Sequence, residues 1–271
     1  MSGPGGGGPG SEEGNGTDGT VAPAGAPDWL RPITDALATI RAEHLTAFTP
    51  PPGGDARPGA VLMVFAEGER GPELLLTERA HHMRSHPGQV SFPGGSLDPG
   101  ETHEQAALRE AWEEIGLDPA SVHVVGRLPE LWLPPSNFAV VPVVAWWASP
   151  GTVSVRSADE VHAIHRVAVA DLVDPRWRRT VRGPSGWSSP GFLIGEDHDV
   201  VLWGFTGGIV ARLLDFLGWS EPWDDTLTTG LPSYMLGGAE RAGPLTATEG
   251  TDEPVEAPIE GPMADIEESD G

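Results

Sequence analysis

The chain of 271 residues contains no cysteine and no lysine. Without cysteine it cannot form a disulfide framework, a thiolate metal site or a cysteine nucleophile, which excludes several enzyme classes at once. All sixteen cationic side chains are arginine, so a phosphate-binding cluster would have to use guanidinium groups, which favour bidentate contacts. We attribute the lack of lysine mainly to a compositional bias toward arginine.

The sequence also lacks any apolar run near the length of about 20 residues that is needed to span a bilayer. No charged start followed by an apolar segment is present either. We therefore expect a soluble, cytoplasmic protein that does not bind membranes. The formal net charge is -24, about half of it from the acidic C-terminal stretch, and this charge argues against nucleic acid as a partner.

Composition divides the chain into one core and two flanks. Residues 1–27 are rich in glycine and proline with almost no large apolar side chain, whereas residues 221–271 combine acids with proline and glycine. Neither flank can bury enough apolar surface to offset the entropy lost on ordering. We predict disordered tails at 1–27 and 221–271 and a single folded domain at 28–220.

Within this domain, apolar positions at helical spacing predict an amphipathic docking helix at 28–48. Apolar and β-branched runs predict strands at 60–66, 73–77, 122–128 and 138–147. A strong helix is predicted at 102–115 and a closing helix at 205–217, while residues 161–172 fit either a strand or a short helix. This alternation favours an α/β fold in which a mixed β-sheet is sandwiched between α-helices, an α/β/α arrangement.

The predicted helix at 102–115 carries three carboxylates on one face. Glu110, Glu113 and Glu114 stand at positions i, i+3 and i+4, where Cβ atoms lie about 5–6 Å apart. Like charges at this spacing repel, and the next turn supplies no cation. Mg²⁺ or Mn²⁺ would be a suitable counter-charge, because both prefer oxygen ligands and are often shared with substrate phosphates. An ordinary solvated helix face is the alternative that these three residues leave open.

Residues on both sides of the helix complete a longer pattern. The spacing G-x5-E-x7-R-E-U-x-E-E-x-G-U, where U is aliphatic, is filled by Gly95, Glu101, Arg109, Glu110, Ala111, Glu113, Glu114, Gly116 and Leu117. This pattern resembles the signature of the Nudix hydrolase superfamily. The resemblance implies the Nudix fold, with the pattern forming a loop–helix–loop on a mixed sheet.

The same resemblance implies roles for individual residues. Glu110, Glu113 and Glu114 would hold Mg²⁺ or Mn²⁺ against a pyrophosphate. Glu101 would pair with Arg109 to fix the loop before the helix, and it could also reach a metal through water. The cations would neutralise the pyrophosphate and lower the pKa of the attacking water. Glu110 is our first choice for the general base among these catalytic residues.

A second pattern lies immediately upstream, from Leu75 to Gly95. It resembles the additional signature of coenzyme A pyrophosphatases within the Nudix superfamily, L-L-T-x-R-(S/A)-x3-R-x3-G-x3-F-P-G-G. The resemblance implies cleavage of coenzyme A or its derivatives to 3',5'-ADP and 4'-phosphopantetheine. Arg79 and Arg84 would bind substrate phosphates, and Gly94 and Gly95 would let the backbone approach the substrate closely.

Other interpretations of the two patterns stay open. The substrate could be another nucleoside diphosphate derivative, such as a nucleotide sugar or a dinucleoside polyphosphate, although the upstream arginines argue against it. The domain could also be a catalytically weak module that senses nucleotides, although all carboxylates of the signature are present. The upstream segment by itself could be an ordinary glycine-rich turn after a strand.

Two further features concern metal ligands. Three histidines, His81, His82 and His86, crowd one predicted loop and suggest zinc, but no ligand geometry can be derived from their spacing. We expect these side chains to be exposed to solvent. Glu160, in a later acidic pair, could add a carboxylate to the site.

Overall fold

The computed structural model describes residues 22–48, 54–134, 136–183 and 186–236. Of the predicted tails at 1–27 and 221–271, residues 1–21 and 237–271 lie outside the described residues. The helices are α1 (Leu30–Leu37), α2 (Ala42–Leu45), α3 (His103–Ile115), α4 (Val169–Val173) and α5 (Gly204–Phe216). The strands are β1 (Arg57–Gly68), β2 (Gly71–Arg79), β3 (Val90–Ser91), β4 (Gly94–Ser96), β5 (Val122–Arg127), β6 (Leu131–Leu133), β7 (Phe138–Trp147), β8 (Val161–Ala168), β9 (Arg178–Arg182), β10 (Ser188–Ile194), β11 (Val200–Leu202) and β12 (Thr228–Gly230).

The main sheet is mixed, as the sequence predicts. Its central order is β3-β2-β1-β7-β5, with β4 pairing β1, β6 pairing β7 and β8 pairing β2. The pair β1 and β7 runs parallel over ten residues on each strand, whereas β1 and β2 are antiparallel. Both central strands consist mainly of buried apolar residues, as expected for strands that have neighbours on both sides and layers on both faces.

Alternation along β1 divides the core between the two faces of this sheet. Met63 and Phe65 pack with residues of α1 and α5 on one face, while Leu62 and Val64 pack on the other face with the buried alanines of α3. Small alanines let α3 lie close to the sheet, which brings the polar side of this helix near the strand ends. The predicted α/β/α sandwich is confirmed.

A second sheet, of order β11-β10-β9-β12, was not predicted. Its strands are short and do not alternate cleanly between polar and apolar residues; β9 carries three arginines and β10 contains Pro190. Buried Arg178 lies over the rings of Phe192 and Trp223, so aromatic contacts accommodate a charge inside this layer. These contacts join residues far apart in the chain, which local sequence patterns do not reveal.

The predicted disordered tail beginning at residue 221 is wrong for residues 221–236. Strand β12 pairs in parallel with β9, and Tyr234 and Met235 are buried. The ring of Tyr234 packs on Gly88, where a Cβ would lie 2.5 Å from a ring carbon. A few well-placed apolar side chains therefore order a segment whose average composition is typical of a solvated tail. Similarly, residues 22–27 are not all tail, because Ala26 packs against the core.

The predicted docking helix at 28–48 is two helices, α1 and α2, so that boundary is also wrong. The break at residues 38–41 contains β-branched Thr39 and Ile40, whose helix propensity is modest, and Arg41 is extended. The ambiguous segment at 161–172 contains both predicted structures, since β8 leads directly into α4. No helix in the described part of the chain is long and apolar enough to cross a membrane.

Candidate active site

Helix α3 is fixed at both ends by local sequence. At its start the hydroxyl of Thr102 accepts a hydrogen bond from the backbone N–H of Gln105, and the Gln105 side chain accepts one from the N–H of Thr102. At its end Gly116 adopts the left-handed conformation at φ 68°. The predicted helix is thus confirmed. Because both of its ends are defined, the turns that carry the carboxylates also have defined positions.

The glycine pair before this helix permits a close approach of backbone and carboxylate. Strand β4 pairs with β1, placing Gly94 opposite Val61 and Gly95 opposite Ala60. A Cβ on Gly94 would lie 2.4 Å from the carbonyl oxygen of Ala60, and one on Gly95 would lie 2.4 Å from Oε1 of Glu110. A side chain at Gly94 would clash with the backbone of β1, whereas one at Gly95 would displace the carboxylate of Glu110.

Arg109 binds the carboxylates around it. Its Nε and Nη2 donate to the two oxygens of Glu101 at 2.8 and 3.0 Å, the bidentate pairing that the sequence pattern implies. Its Nη1 donates to Glu110 at 3.0 Å and to Glu113 at 3.2 Å. Its Nη2 also donates to the carbonyl of Ser96, which ties β4 to the helix. The hydrogen bond from Arg109 holds the pKa of Glu101 below its usual value.

Glu114 is the buried member of the carboxylate group, with 7% of its surface exposed. Burial, followed by the nearby charges of Glu110 and Glu160, raises its pKa to about 8. The backbone N–H of Gly94 donates a hydrogen bond to this carboxylate. Its Oε2 atom is buried without a hydrogen-bond partner among the described residues, which is costly for a polar atom.

Glu110 and Glu113 complete the group on the helix, and Glu160 joins it from a loop. Burial raises the pKa of Glu110 despite its bond to Arg109, with Glu113 and Glu160 adding to the effect. The side chain of Glu113 is 55% exposed. The segment leading to Glu160 is anchored on α3, because the backbone N–H groups of Arg156 and Ser157 donate to the Glu114 carbonyl. The additional carboxylate suggested by the sequence is therefore present.

These residues fit a divalent cation. Glu110, Glu114 and Glu160 interact electrostatically, the pKa is raised at Glu110 and Glu114, and the buried Oε2 of Glu114 has no hydrogen-bond partner in the described chain. Arg109 neutralises only part of the charge, since both oxygens of Glu101 and one of Glu110 already share it. Oxygen ligands of this kind suit a hard divalent ion.

Comparisons with known proteins agree with this geometry. The family model described as the NUDIX domain matches residues 56–185. The protein called "Uncharacterized Nudix hydrolase NudL" from Enterobacter sp. strain 638 is 37% identical over 159 residues, which cover 58% of this chain and 81% of the relative. This chain belongs to the Nudix hydrolase family. It is accordingly a hydrolase that acts on pyrophosphate bonds, and Nudix hydrolases generally use divalent metal ions.

Two other similarities are more limited. "Nudix hydrolase 3" of Caenorhabditis elegans is 37% identical over 116 residues, or 42% of this chain, and the match spans about half of that relative, 48%. The crystal structure of RenU, a Nudix hydrolase from M. smegmatis, has a TM-score of 0.44 and 20% identity, covering 62% of this chain and 90% of that one.

The structure of this Nudix hydrolase separates the two arginines predicted to bind substrate. Arg79 ends β2, and its charge acts on Glu114, opposing the rise in the pKa of that carboxyl. Its Nε atom is buried without a hydrogen-bond partner among the described residues. Arg84 instead lies exposed in the loop after β2. Only Arg79 is thus placed beside the carboxylates.

The expectation that all three loop histidines are exposed is wrong for one of them. His82 and His86 are exposed, but the side chain of His81 is only 10% exposed and lies 2.7 Å from Glu78. His81 is largely buried because it bonds the carboxylate of Glu78, a charged residue of the apolar strand β2 whose side chain points inward. A charged residue in an apolar strand is the local signal in the sequence for this buried polar cluster.

We predict that Gly95→Ala lowers the metal-dependent activity by about ten- to a hundredfold, because the added methyl group must push the Glu110 carboxylate away. Gly151→Ala is the matched control, since a Cβ there meets nothing within 4 Å. Turnover and circular dichroism of both variants would be compared with the natural protein. Equal activity of all three folded proteins would contradict a defined position for Glu110.

Proposed function

We propose that this Nudix hydrolase cleaves the pyrophosphate of coenzyme A or its derivatives, giving 3',5'-ADP and 4'-phosphopantetheine. The observation that carries the proposal is the position of Arg79, at the end of β2 and next to the charge of Glu114. A guanidinium in this place can bind a phosphate oxygen of a substrate whose pyrophosphate lies at the carboxylates. The continuous motif from Leu75 to Gly95 provides the further support.

Glu110, Glu113 and Glu114 would hold Mg²⁺ or Mn²⁺, and Glu160 could add a ligand. When bound, the ion neutralises the pyrophosphate and makes the attacking water more acidic. Arg109 and Glu101 fix the loop and helix relative to each other. Oε2 of Glu110 takes the proton from the water as the oxygen attacks one phosphorus, and the bond from that phosphorus to the bridging oxygen breaks.

A second substrate class is favoured by one observation. Arg84, the other arginine of the motif, makes no hydrogen bond or ion pair with a residue that the structure describes, so only one of the two expected phosphate ligands lies at the carboxylates. A nucleoside diphosphate derivative without the 3'-phosphate of coenzyme A, such as a nucleotide sugar, would need fewer cationic contacts. The two classes differ in how turnover should depend on that 3'-phosphate.

We expect Arg79→Ala to lower kcat/KM for coenzyme A by about ten- to a hundredfold, because a charge-assisted contact to phosphate contributes roughly 1.5–3 kcal/mol. Dephospho-coenzyme A would be assayed in parallel with coenzyme A. If Arg79 binds the pyrophosphate, both substrates lose the same factor, whereas an arginine that binds the 3'-phosphate affects coenzyme A alone.

Arg84→Ala and Arg212→Ala would be measured in the same assay. Arg212 is an exposed arginine of α5 and serves as the matched control. We expect Arg84→Ala, if it has an effect, to remove the preference for coenzyme A over its dephospho form. If Arg79→Ala and Arg84→Ala both behave like the control, the motif is only a turn and the coenzyme A proposal fails.

A further inference from the structure

A cluster of one buried carboxylate and three histidines lies on the face of the main sheet opposite α3. Glu78 follows Leu74 and Leu76 in the alternation along β2, and its side chain is fully buried. Its Oε1 lies 2.7 Å from Nε2 of His81, and its Oε2 lies 2.9 Å from Nε2 of His165. Both oxygens of this carboxylate therefore face imidazole nitrogens.

A third histidine enters the cluster through an irregularity in β8. Ala163 pairs with Glu78 and Val161 pairs with Arg79, so His162 is the extra residue of a β-bulge. One potential ligand atom from each of Glu78, His81 and His162 lies within 4.8 Å of the other two. The ring of His81 stacks on that of His162 at a centroid distance of 4.0 Å and on Tyr234 at 4.6 Å.

The carboxylate of Glu78 is buried between histidines. Its side chain has no exposed surface, and each of its oxygens lies at hydrogen-bond distance from an imidazole nitrogen. A polar group in such a place needs hydrogen bonds or a metal ion to replace its contacts with water.

We propose that Glu78, His81 and His162 form a binding site for a transition-metal ion of the zinc class. Two imidazoles and one carboxylate are a ligand set that zinc accepts, with a fourth position left for water or another ligand. Mg²⁺, by contrast, prefers oxygen ligands. His165 bonds the second oxygen of Glu78 and would orient the carboxylate from outside the ligand set.

This site is distinct from the carboxylates of α3 and does not depend on the substrate. Its ligands come from the end of β2, the following loop and the start of β8, and Tyr234 covers His81 from the C-terminal segment. An ion there would join these segments, including the loop that carries Arg84. We expect such an ion to stabilise the native state, because it binds only when the three side chains are brought together.

The test is a calorimetric titration of the full-length chain with Zn²⁺ at neutral pH, after removal of bound metal and in the presence of excess Mg²⁺ to occupy oxygen-ligand sites. We expect one zinc ion to bind, and His162→Gln to weaken this binding by about a hundredfold through loss of a ligand. His165→Gln should weaken it by about tenfold, as an outer partner would. His82→Gln, an exposed histidine of the same loop, is the matched control and should have no effect.

His162 is exposed, so its replacement should leave the fold intact, which circular dichroism of the metal-free variants checks. Co²⁺ provides a second readout, because nitrogen ligation gives visible absorption bands that His162→Gln and His81→Gln should each remove. Zinc binding that is unchanged in both variants but lost in Glu114→Gln would place the ion at α3 and overturn the proposal. Failure of the natural protein to bind zinc in excess Mg²⁺ would overturn it as well.

Discussion

We expect Glu114→Gln to lower metal-dependent pyrophosphate hydrolysis by about a thousandfold or more, while the folded protein keeps its thermal stability. In the proposed mechanism this carboxylate is a charged ligand for an ion that acts as a Lewis acid, and an amide would replace it with a much weaker neutral ligand. Stability should hold, because a buried carboxyl whose pKa is raised to about 8 gains nothing from its charge in the metal-free state. Turnover and Tm of the same preparation would be measured with and without Mg²⁺.

Two further variants make this result specific. Glu113→Gln should also reduce turnover, but by less, since the Glu113 side chain is half exposed and a water molecule can replace the lost ligand. Glu104→Gln is the matched control on the same helix, where Glu104 pairs with Arg127 away from the other carboxylates. If Glu114→Gln turns over substrate as fast as Glu104→Gln does, the metal-ligand assignment is wrong.

A chain ending at Trp219 should be less stable than a chain ending at Leu236 by roughly 3–6 kcal/mol. Burying one Tyr or Met side chain contributes about 1.5–3 kcal/mol, and the shorter chain loses both Tyr234 and Met235 together with β12. The chain ending at Leu236 keeps every described contact and should match the full-length protein. Urea unfolding of the three proteins provides the comparison.

Tyr234→Ala in the full-length chain separates packing from chain length. We expect it to reproduce about 3 kcal/mol of the loss, because a large aromatic side chain leaves a cavity beside Gly88. Equal midpoints for the chains ending at Trp219 and Leu236 would show that residues 221–236 add no stability.

The parts that the sequence predicts well are local. Helix α3 follows from its capping residues and its buried alanines, and the Glu101–Arg109 pair follows from their spacing in the family signature. The strands β1 and β7 are long and apolar, so their existence follows from composition alone. The main sheet, helix α3 and the carboxylates on α3 could all be predicted for this reason.

The parts that it misses depend on contacts between distant residues. Glu78 meets His165 across 87 positions of sequence, and a bulge in β8 is needed to bring His162 to the same place. The second sheet and the ordered segment at 221–236 also depend on contacts between distant residues. Tyr234, for example, packs on Gly88, which lies far away in the chain. The average composition of residues 221–271 does not reveal these individual contacts. It therefore predicts a disordered tail for the whole segment.

The most direct measurement is product analysis after incubation of the full-length protein with coenzyme A and Mg²⁺ or Mn²⁺. We predict equal amounts of 3',5'-ADP and 4'-phosphopantetheine, with no product after chelation of the metal and very little from Glu114→Gln. ADP-ribose and nucleotide sugars at the same concentration should be cleaved more slowly. Intact coenzyme A under conditions in which the protein cleaves one of those nucleotides would contradict the proposed substrate.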